Sequence, residues 1–218
     1  MSTLRPESER DPESAPGGYL GKRTFDVTAS SIGLILLSPL LVFIVIAVRM
    51  TSPGPAIFRQ ERVGLNGGRI KVWKFRTMIH GAEGLSRETL GTRDPRITPL
   101  GRRLRRTKLD ELPQLVNVLR GSMSMVGPRP EIPFYADRYG AEEAIVLAVK
   151  PGITDPSSLE MADLDELMEN RGDVPAPEYY TAVIQPRKLA LQKDYIQNQS
   201  LLGDIRIIIR TIFKVIWT

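Results

Sequence analysis

Asp110 and Glu111 are adjacent carboxylates at the end of the most basic stretch of the chain. Gly101 to Lys108 holds four arginines and one lysine, Arg105 among them, and Gly127-Pro128-Arg129-Pro130-Glu131 follows shortly downstream. Arginine forks grip phosphate oxygens in pairs, and an arginine between prolines is carried on stiff backbone. A carboxylate set among such arginines has two chemical uses. It can attack phosphorus, forming an acyl phosphate and dividing one transfer into two displacements. It can also hold magnesium, which takes oxygen ligands and relies on one or two carboxylates plus the substrate's own phosphates. A plainer reading competes with both: acidic residues in a first helical turn commonly cap it, and a basic helix with salt-bridged acids is an ordinary solvated surface.

The rest of the composition narrows the chemistry. A chain of 218 residues, 42% apolar and 25% charged, is long enough for one domain with a real core. With no cysteine there is no disulfide, no thiolate metal site and no thiol nucleophile. A single histidine, His80, excludes any mechanism needing two imidazoles, and a Ser-His-Asp triad would have to use it. The net charge of +5 is unevenly spread, with acid-rich segments up to Glu13 and from Glu160 to Asp173 set against the basic run. That island suits an anionic partner, whether a phosphate ester, an acidic lipid headgroup or nucleic acid.

The elements that must position the carboxylates are legible around them. Pro113 fits the first turn of a helix and Gly121 its end, which places Asp110 and Glu111 at a helix N-terminus, where the dipole and free N–H groups favour carboxylate and phosphate alike. Leu100 to Arg106 reads as a preceding helix. Upstream, polar and apolar residues alternate on both sides of Asn66-Gly67-Gly68, predicting a β-hairpin with Ile70, Val72 and Lys74 on one face and Lys71, Trp73 and Phe75 on the other. Gly81 to Thr92 reads as a polar loop. Ala176 to Gln199 reads as a core-packing helical stretch interrupted at Pro186, and Glu160 to Asp173 as either a flap near substrate or a solvated loop.

From Val27 to Val48 no side chain is charged, and Arg49 with Thr51-Ser52-Pro53-Gly54-Pro55 follows where a signal peptide would carry a cleavage site. About 20 such residues suffice to span a bilayer. Pro39 removes a helical N–H near the middle, and Ser38 can offer its hydroxyl to the freed carbonyl. The segment therefore reads either as a kinked transmembrane helix or as a re-entrant hairpin that returns Lys22, Arg23 and Arg49 to one membrane face. At the other end, Leu201 to Trp217 spaces Ile205, Ile208, Ile209, Ile212, Phe213 and Ile216 helically, with Arg206, Arg210 and Lys214 on another face. It suits either the headgroup level of a membrane or a groove of the core.

Taken together, these pieces resemble the monotopic polyprenol-phosphate phosphoglycosyl transferases, bacterial sugar transferases of glycoconjugate assembly. The resemblance runs from about Lys22 to Trp217. It is carried by Lys22-Arg23-Thr24-Phe25-Asp26, Ser38-Pro39, Ser52-Pro53-Gly54-Pro55, Gln60-Glu61-Arg62-Val63-Gly64, Lys74-Phe75-Arg76-Thr77-Met78 and Asp94-Pro95-Arg96-Ile97-Thr98. Further on come Leu109-Asp110-Glu111-Leu112-Pro113-Gln114, Met123-Ser124-Met125-Val126-Gly127-Pro128-Arg129-Pro130 and Lys150-Pro151-Gly152-Ile153-Thr154.

The resemblance implies an α/β fold, mostly helical with a small β-hairpin, in its compact catalytic-core form. A polar tail (1–20) would precede a re-entrant membrane helix (21–50) broken at Ser38 and Pro39. A catalytic domain (51–218) on the cytoplasmic face of the bacterial inner membrane would end in the amphipathic helix 201–217. It implies that Asp110 is the nucleophile displacing UMP from a UDP-sugar, and that Glu111 binds Mg2+. Arg105 and Arg129 would hold phosphate, Pro128 and Pro130 would shape the nucleotide site, and Lys74 and Arg76 would assist. Polyprenol phosphate would then take the phosphosugar. Inner-membrane lipid, a second copy and downstream glycosyltransferases are further implied partners, and nucleic acid is not. One departure stands out: Asp155-Pro156-Ser157-Ser158-Leu159 replaces the Gly-Trp-Ala-Gln type of sequence common after Pro-Gly-Ile-Thr, which bears on sugar preference.

Overall fold

A computed structural model describes residues 18–82, 94–161, 167–168 and 171–217. The polar N-terminal tail before Gly18, most of the predicted loop after Gly81 and most of the acid-rich segment after Glu160 lie outside the described residues.

Helix α1 (Lys22–Thr51) runs into the hairpin β1 (Ile57–Val63) and β2 (Arg69–Phe75). Helix α2 (Pro99–Arg106), a 3-10 turn (Leu109–Glu111), helix α3 (Gln114–Leu119) and strand β3 (Ser124–Val126) follow. Next come α4 (Pro133–Ala136), a 3-10 turn (Ala144–Ala148), β4 (Gly152–Thr154) and α5 (Pro156–Glu160). The C-terminal part comprises α6 (Ala176–Tyr179), a π turn (Tyr180–Ile184), α7 (Gln185–Gln197) and α8 (Leu201–Trp217). The fold is thus mostly helical with a two-stranded antiparallel hairpin. It adds one element that the sequence does not announce, a short parallel pairing of β3 with β4.

The hairpin forms as the alternation requires. Asn66 and Gly67 take the left-handed conformation that the reversal needs, and Lys74 falls opposite Phe58 and Arg62 opposite Ile70. Cross-strand partners share a face, so Lys74, Val72, Ile70, Gln60 and Arg62 all lie on one side. Val72 there packs with fully buried Val118 and Met123, each such side chain contributing about 1.5–3 kcal/mol by leaving water. Phe75, on the other side, joins Ile44 and Val48 of α1, Ala56 and Leu104 in a second cluster.

Besides the packing of Val118 on Val72, hydrogen bonds from Asn117 fasten helix α3 to the hairpin. Asn117 accepts a bond from the Trp73 amide (2.9 Å) and donates to the Lys71 carbonyl (2.8 Å), so the amide completes the open edge of β2 as a further strand would. The β3–β4 contact depends on two glycines. A Cβ on Gly152 would stand 2.1 Å from the Gly127 nitrogen, and one on Gly127 would stand 2.5 Å from the Lys150 carbonyl oxygen. Only bare backbone allows that approach.

Helix α1 runs as one helix through Pro39 rather than as two helices separated at Ser38-Pro39, and the carbonyl of Ile35, which loses its donor there, accepts the Ser38 hydroxyl at 2.8 Å. Its N-terminal end is tied down by Arg23, whose guanidinium donates to the carbonyls of Val118 and Leu119 (2.7 and 2.8 Å) at the end of α3. Lys22 reaches Asp26, Asp204 and the Val126 carbonyl, and Asp26 accepts from Ser124 and the Met125 amide. The C-terminal half packs through Ile44 and Val48 on Phe75 and Leu104. Between these anchors Ile35, Leu36, Ser38 and Pro39 are exposed.

Helix α8 docks on the domain and keeps part of its apolar side exposed. Buried Asp204 bonds Lys22, Tyr19 and Tyr195, while Thr211 bonds Thr154 and Lys214 the Leu159 carbonyl. Leu202, Ile209, Ile212, Phe213 and Trp217 are left exposed. Pro186 does not interrupt the preceding helix: the π turn widens the ladder just before it, and Pro186 falls in the first turn of α7.

Replacing Asn117 with alanine strips partners from the Trp73 N–H and the Lys71 carbonyl. Both bonds are only partly buried, so the expected loss is about 0.5–1.5 kcal/mol per bond, read as a lowered unfolding midpoint in detergent.

Candidate active site

Asp110 and Glu111 occupy the 3-10 turn between α2 and α3, and Pro113 immediately precedes α3. The turn is set by Lys108, which adopts a left-handed conformation (φ 53°) and reverses the chain after α2. Leu109 and Leu112 pack on the cluster of Ile44, Val48, Phe75 and Leu104, so apolar anchors flank the two carboxylates. Both acids are buried, at 7% and 9% exposure, which is too deep for ordinary solvated caps.

Their surroundings differ. Glu111 is gripped by Lys74 (2.8 Å, Oε1) and by both terminal nitrogens of Arg129. Burial alone would raise its pKa, but Arg129 and Lys74 outweigh that and hold the carboxyl well below the usual range. Asp110 has no hydrogen-bond partner among the described residues. Burial, and then the charge of Glu111, push its pKa up to about 6, against the opposing pull of Lys74, Arg105 and Lys108. Two neighbouring carboxylates are thereby set apart, one locked as an anion by two cations and one left unbonded.

The cations are held in turn. Arg129 sits between Pro128, whose carbonyl accepts the Gly152 amide (3.0 Å), and Pro130, whose carbonyl accepts Arg62 (3.3 Å). Its own amide donates to Asp155 (3.2 Å), a fully buried carboxylate that also accepts from Ser157, the Ser158 amide and Gln192. Burial lowers the pKa of Lys74, opposed by Glu111, whereas Glu111 raises that of Arg129. Arg62 lies within the field of Arg129 and Glu111, and burial lowers its pKa too. It is backed by Glu131, which bonds Lys188 (2.6 Å) and Tyr180.

The structure thus brings together Asp110, Glu111, Lys74 and Arg129, framed by Pro128 and Pro130. Arg105 acts on Asp110 through its charge while its Nε donates to Thr77 (2.8 Å). Arg76 is placed differently from the expectation of a phosphate contact. Its terminal nitrogens donate to the carbonyls of Ser52 and Pro53 and to the Ser52 hydroxyl, closing the connection between α1 and β1. Gly54 is required there, since its φ is +105° and a Cβ would come within 2.4 Å of the Arg76 guanidinium.

Arg62, Lys108 and Asp155 were not singled out by sequence as members of this site. The signal for Arg62 was present in the alternation, because it shares the hairpin face of Lys74. Asp155 carried no signal, since its link to Arg129 exists only through the β3–β4 pairing.

The donor set bears on magnesium. Among the described residues no three acidic or histidine side chains converge as a cage. Two adjacent carboxylates do fit an ion that completes its shell with substrate phosphates and water, since unbonded Asp110 and Oε2 of Glu111 keep spare lone pairs.

The family model described as bacterial sugar transferase matches residues 18–218. A UDP-glucose:undecaprenyl-phosphate glucose-1-phosphate transferase of Caulobacter vibrioides is 38% identical over 202 residues, covering 91% of this chain and 71% of the relative. A protein of the same name from Escherichia coli is 40% identical over 202 residues, covering 88% of this chain and 39% of the relative. An undecaprenyl-phosphate galactose phosphotransferase of Salmonella typhimurium is 36% identical over 205 residues, covering 87% and 39%. The chain therefore spans less than half the length of these last two. With the family model covering nearly all of it and the Caulobacter relative matched over most of both lengths, the chain belongs to the bacterial sugar transferase family.

Proposed function

We propose that this protein transfers a sugar 1-phosphate from a UDP-sugar to polyprenyl phosphate through a covalent intermediate on Asp110. The observation that carries this reading is the asymmetry of the carboxylate pair. An anion engaged by two cations cannot readily attack, whereas an unbonded carboxylate, mostly ionised at pH 7 despite its raised pKa, can.

In the first step an Asp110 oxygen attacks the phosphorus bearing the sugar, the bond to the bridging oxygen breaks, and UMP leaves with that electron pair. In the second, a phosphate oxygen of the polyprenyl phosphate attacks the same phosphorus. The aspartyl P–O bond breaks, the carboxylate returns, and polyprenyl diphosphate sugar is released. Lys74 and Arg129, preorganised by Glu111, Asp155 and the hairpin, are placed to receive the negative charge that shifts between phosphate oxygens. Glu111 would hold magnesium jointly with the diphosphate, leaving Asp110 free to attack, and the ion would neutralise phosphate charge in the displacement. The reaction suits a role in polysaccharide assembly. The relatives' names differ in sugar, glucose or galactose, so the sugar is left to a screen of UDP-sugars for UMP release.

The same reading gives α1 its place. It is long and apolar enough to cross a bilayer, yet both of its ends are fastened to one domain on either side of the exposed Ile35–Pro39 stretch. A straight helix of this length reaches about 45 Å and would deliver its ends to opposite sides of a core about 30 Å thick. The two-ended attachment favours a re-entrant segment with the domain on the cytoplasmic face, and the exposed apolar side of α8 resting at the same interface.

Three outcomes follow. Incubation with labelled UDP-sugar yields a protein-bound phosphosugar and UMP without acceptor. Asp110→Asn abolishes both adduct and turnover, while Glu111→Gln chiefly weakens magnesium dependence, and robust turnover by Asp110→Asn overturns the assignment. In metal-free protein the Asp110 carboxyl titrates near pH 6, rather than at about 4. The carboxylate is therefore lost as pH falls through 6, and Glu111→Gln, by removing the adjacent charge and releasing Lys74 and Arg129, moves the midpoint down; a 13C-carboxyl titration reads both. Finally, because the chain lacks cysteine, Leu20→Cys and Glu142→Cys are both labelled by an impermeant maleimide from the cytoplasmic side; labelling from opposite sides excludes re-entry.

A further inference from the structure

A groove of about 590 Å³ opens between the C-terminal half of α1, at Val45 and Arg49, and residues 55–59 leading into β1. Its size is that of a small-molecule site. The walls are apolar, from Val45, Pro55, Ala56, Ile57 and Phe58, and the polar groups are two arginines. Arg49 makes no hydrogen bond or ion pair with any described residue. Arg59 has its guanidinium 4.6 Å from the centre of the Trp73 ring, which orients it without consuming its N–H donors.

Two continuities say what belongs there. Along α1, Val42, Val45, Ile46 and Arg49 follow one another at helical spacing. Val42, Phe43, Ile46 and Met50 are exposed, so an apolar track runs along the helix up to the arginines. Across the hairpin, Phe58 stands opposite Lys74, which bonds Glu111, and Ala56 and Ile57 pack in the cluster that supports Leu109 and Leu112 beside Asp110. The groove is therefore bounded by the scaffold of the carboxylate pair on one side and by the apolar face of α1 on the other. A ligand with a long hydrocarbon chain ending in a phosphate matches both halves. A nucleotide sugar, polar throughout, matches only the arginines.

We propose that this groove is the docking site of the acceptor lipid, with the polyprenyl chain along the α1 track and its phosphate on Arg49 and Arg59. The proposal rests on the two-step reading above. Neither arginine belongs to the Asp110–Glu111 cluster, so the first half-reaction separates the two claims.

The test uses the full chain in nanodiscs. With UDP-sugar alone, the Arg49→Ala/Arg59→Ala variant forms adduct and releases UMP as the wild type does. With polyprenyl phosphate present, its KM for the acceptor rises about tenfold or more, the scale of a lost charge-assisted contact, while its KM for UDP-sugar is unchanged. Val45→Trp, which fills the groove and keeps both arginines, raises the acceptor KM as well. An unchanged acceptor KM in both variants overturns the proposal. Weakened binding to phosphatidylglycerol vesicles relative to phosphatidylcholine vesicles, with acceptor KM unchanged, assigns the groove to bulk anionic lipid and overturns it too. A wild type that forms no adduct refutes the aspartyl intermediate instead, and the acceptor KM still decides the groove.

Discussion

A carboxylate buried between a lysine and an arginine organises this molecule. Glu111 lies on a 3-10 turn, Lys74 on a hairpin strand and Arg129 on a proline-flanked segment beyond β3, so one ion cluster joins three regions distant in the chain. Removing one partner from a fully buried pair costs about 3–5 kcal/mol because the remaining charge is left uncompensated, and the cost here is smaller since Lys74 and Arg129 keep some contact with solvent. That cost ties the hairpin register, the seating of α3 and the β3–β4 contact to a single geometry. Slipping β2 by one residue would turn Lys74 to the opposite face.

The cluster also explains why two neighbouring acids behave differently. Both are deeply buried, and what separates them is allocation of partners. The cations that neutralise Glu111 are directed at its oxygens by bonds to Asp155, Pro130 and the hairpin, and Asp110 is served only by longer-range fields. Two adjacent carboxylates thus differ in availability, Glu111 committed to Lys74 and Arg129 and Asp110 left without a bonded partner among the described residues.

Much of this was legible in the sequence because it rests on local rules. The alternation about Asn66-Gly67 gave the hairpin and the face of Lys74, Pro113 and Gly121 bracketed α3, and Ser38-Pro39 foretold the bond from the Ser38 hydroxyl to the Ile35 carbonyl. What escaped depends on long-range pairing. Nothing local to Asp155 shows that it supports Arg129, and Asn117 reads as an ordinary polar helix residue until β2 is beside it. Arg76 shows the same dependence on distant pairing: its type suits phosphate, and in the fold its terminal nitrogens donate to the carbonyls of Ser52 and Pro53. For Asp110 and Glu111 local rules point no further than helix capping, and it is the resemblance to the family that suggests chemical roles for them.

The tether between Lys22 and Asp204 has a consequence for biogenesis. The two residues are 182 positions apart, and Arg23 closes on carbonyls 95 and 96 positions later in the chain. Synthesis proceeds from the N-terminus at roughly 5–20 residues per second, so α1 waits on the order of ten seconds for the partners that complete its anchor. Over that interval Lys22 has Asp26 within reach but not Asp204, so the tether between the first and last helices can close only once α8 has been made.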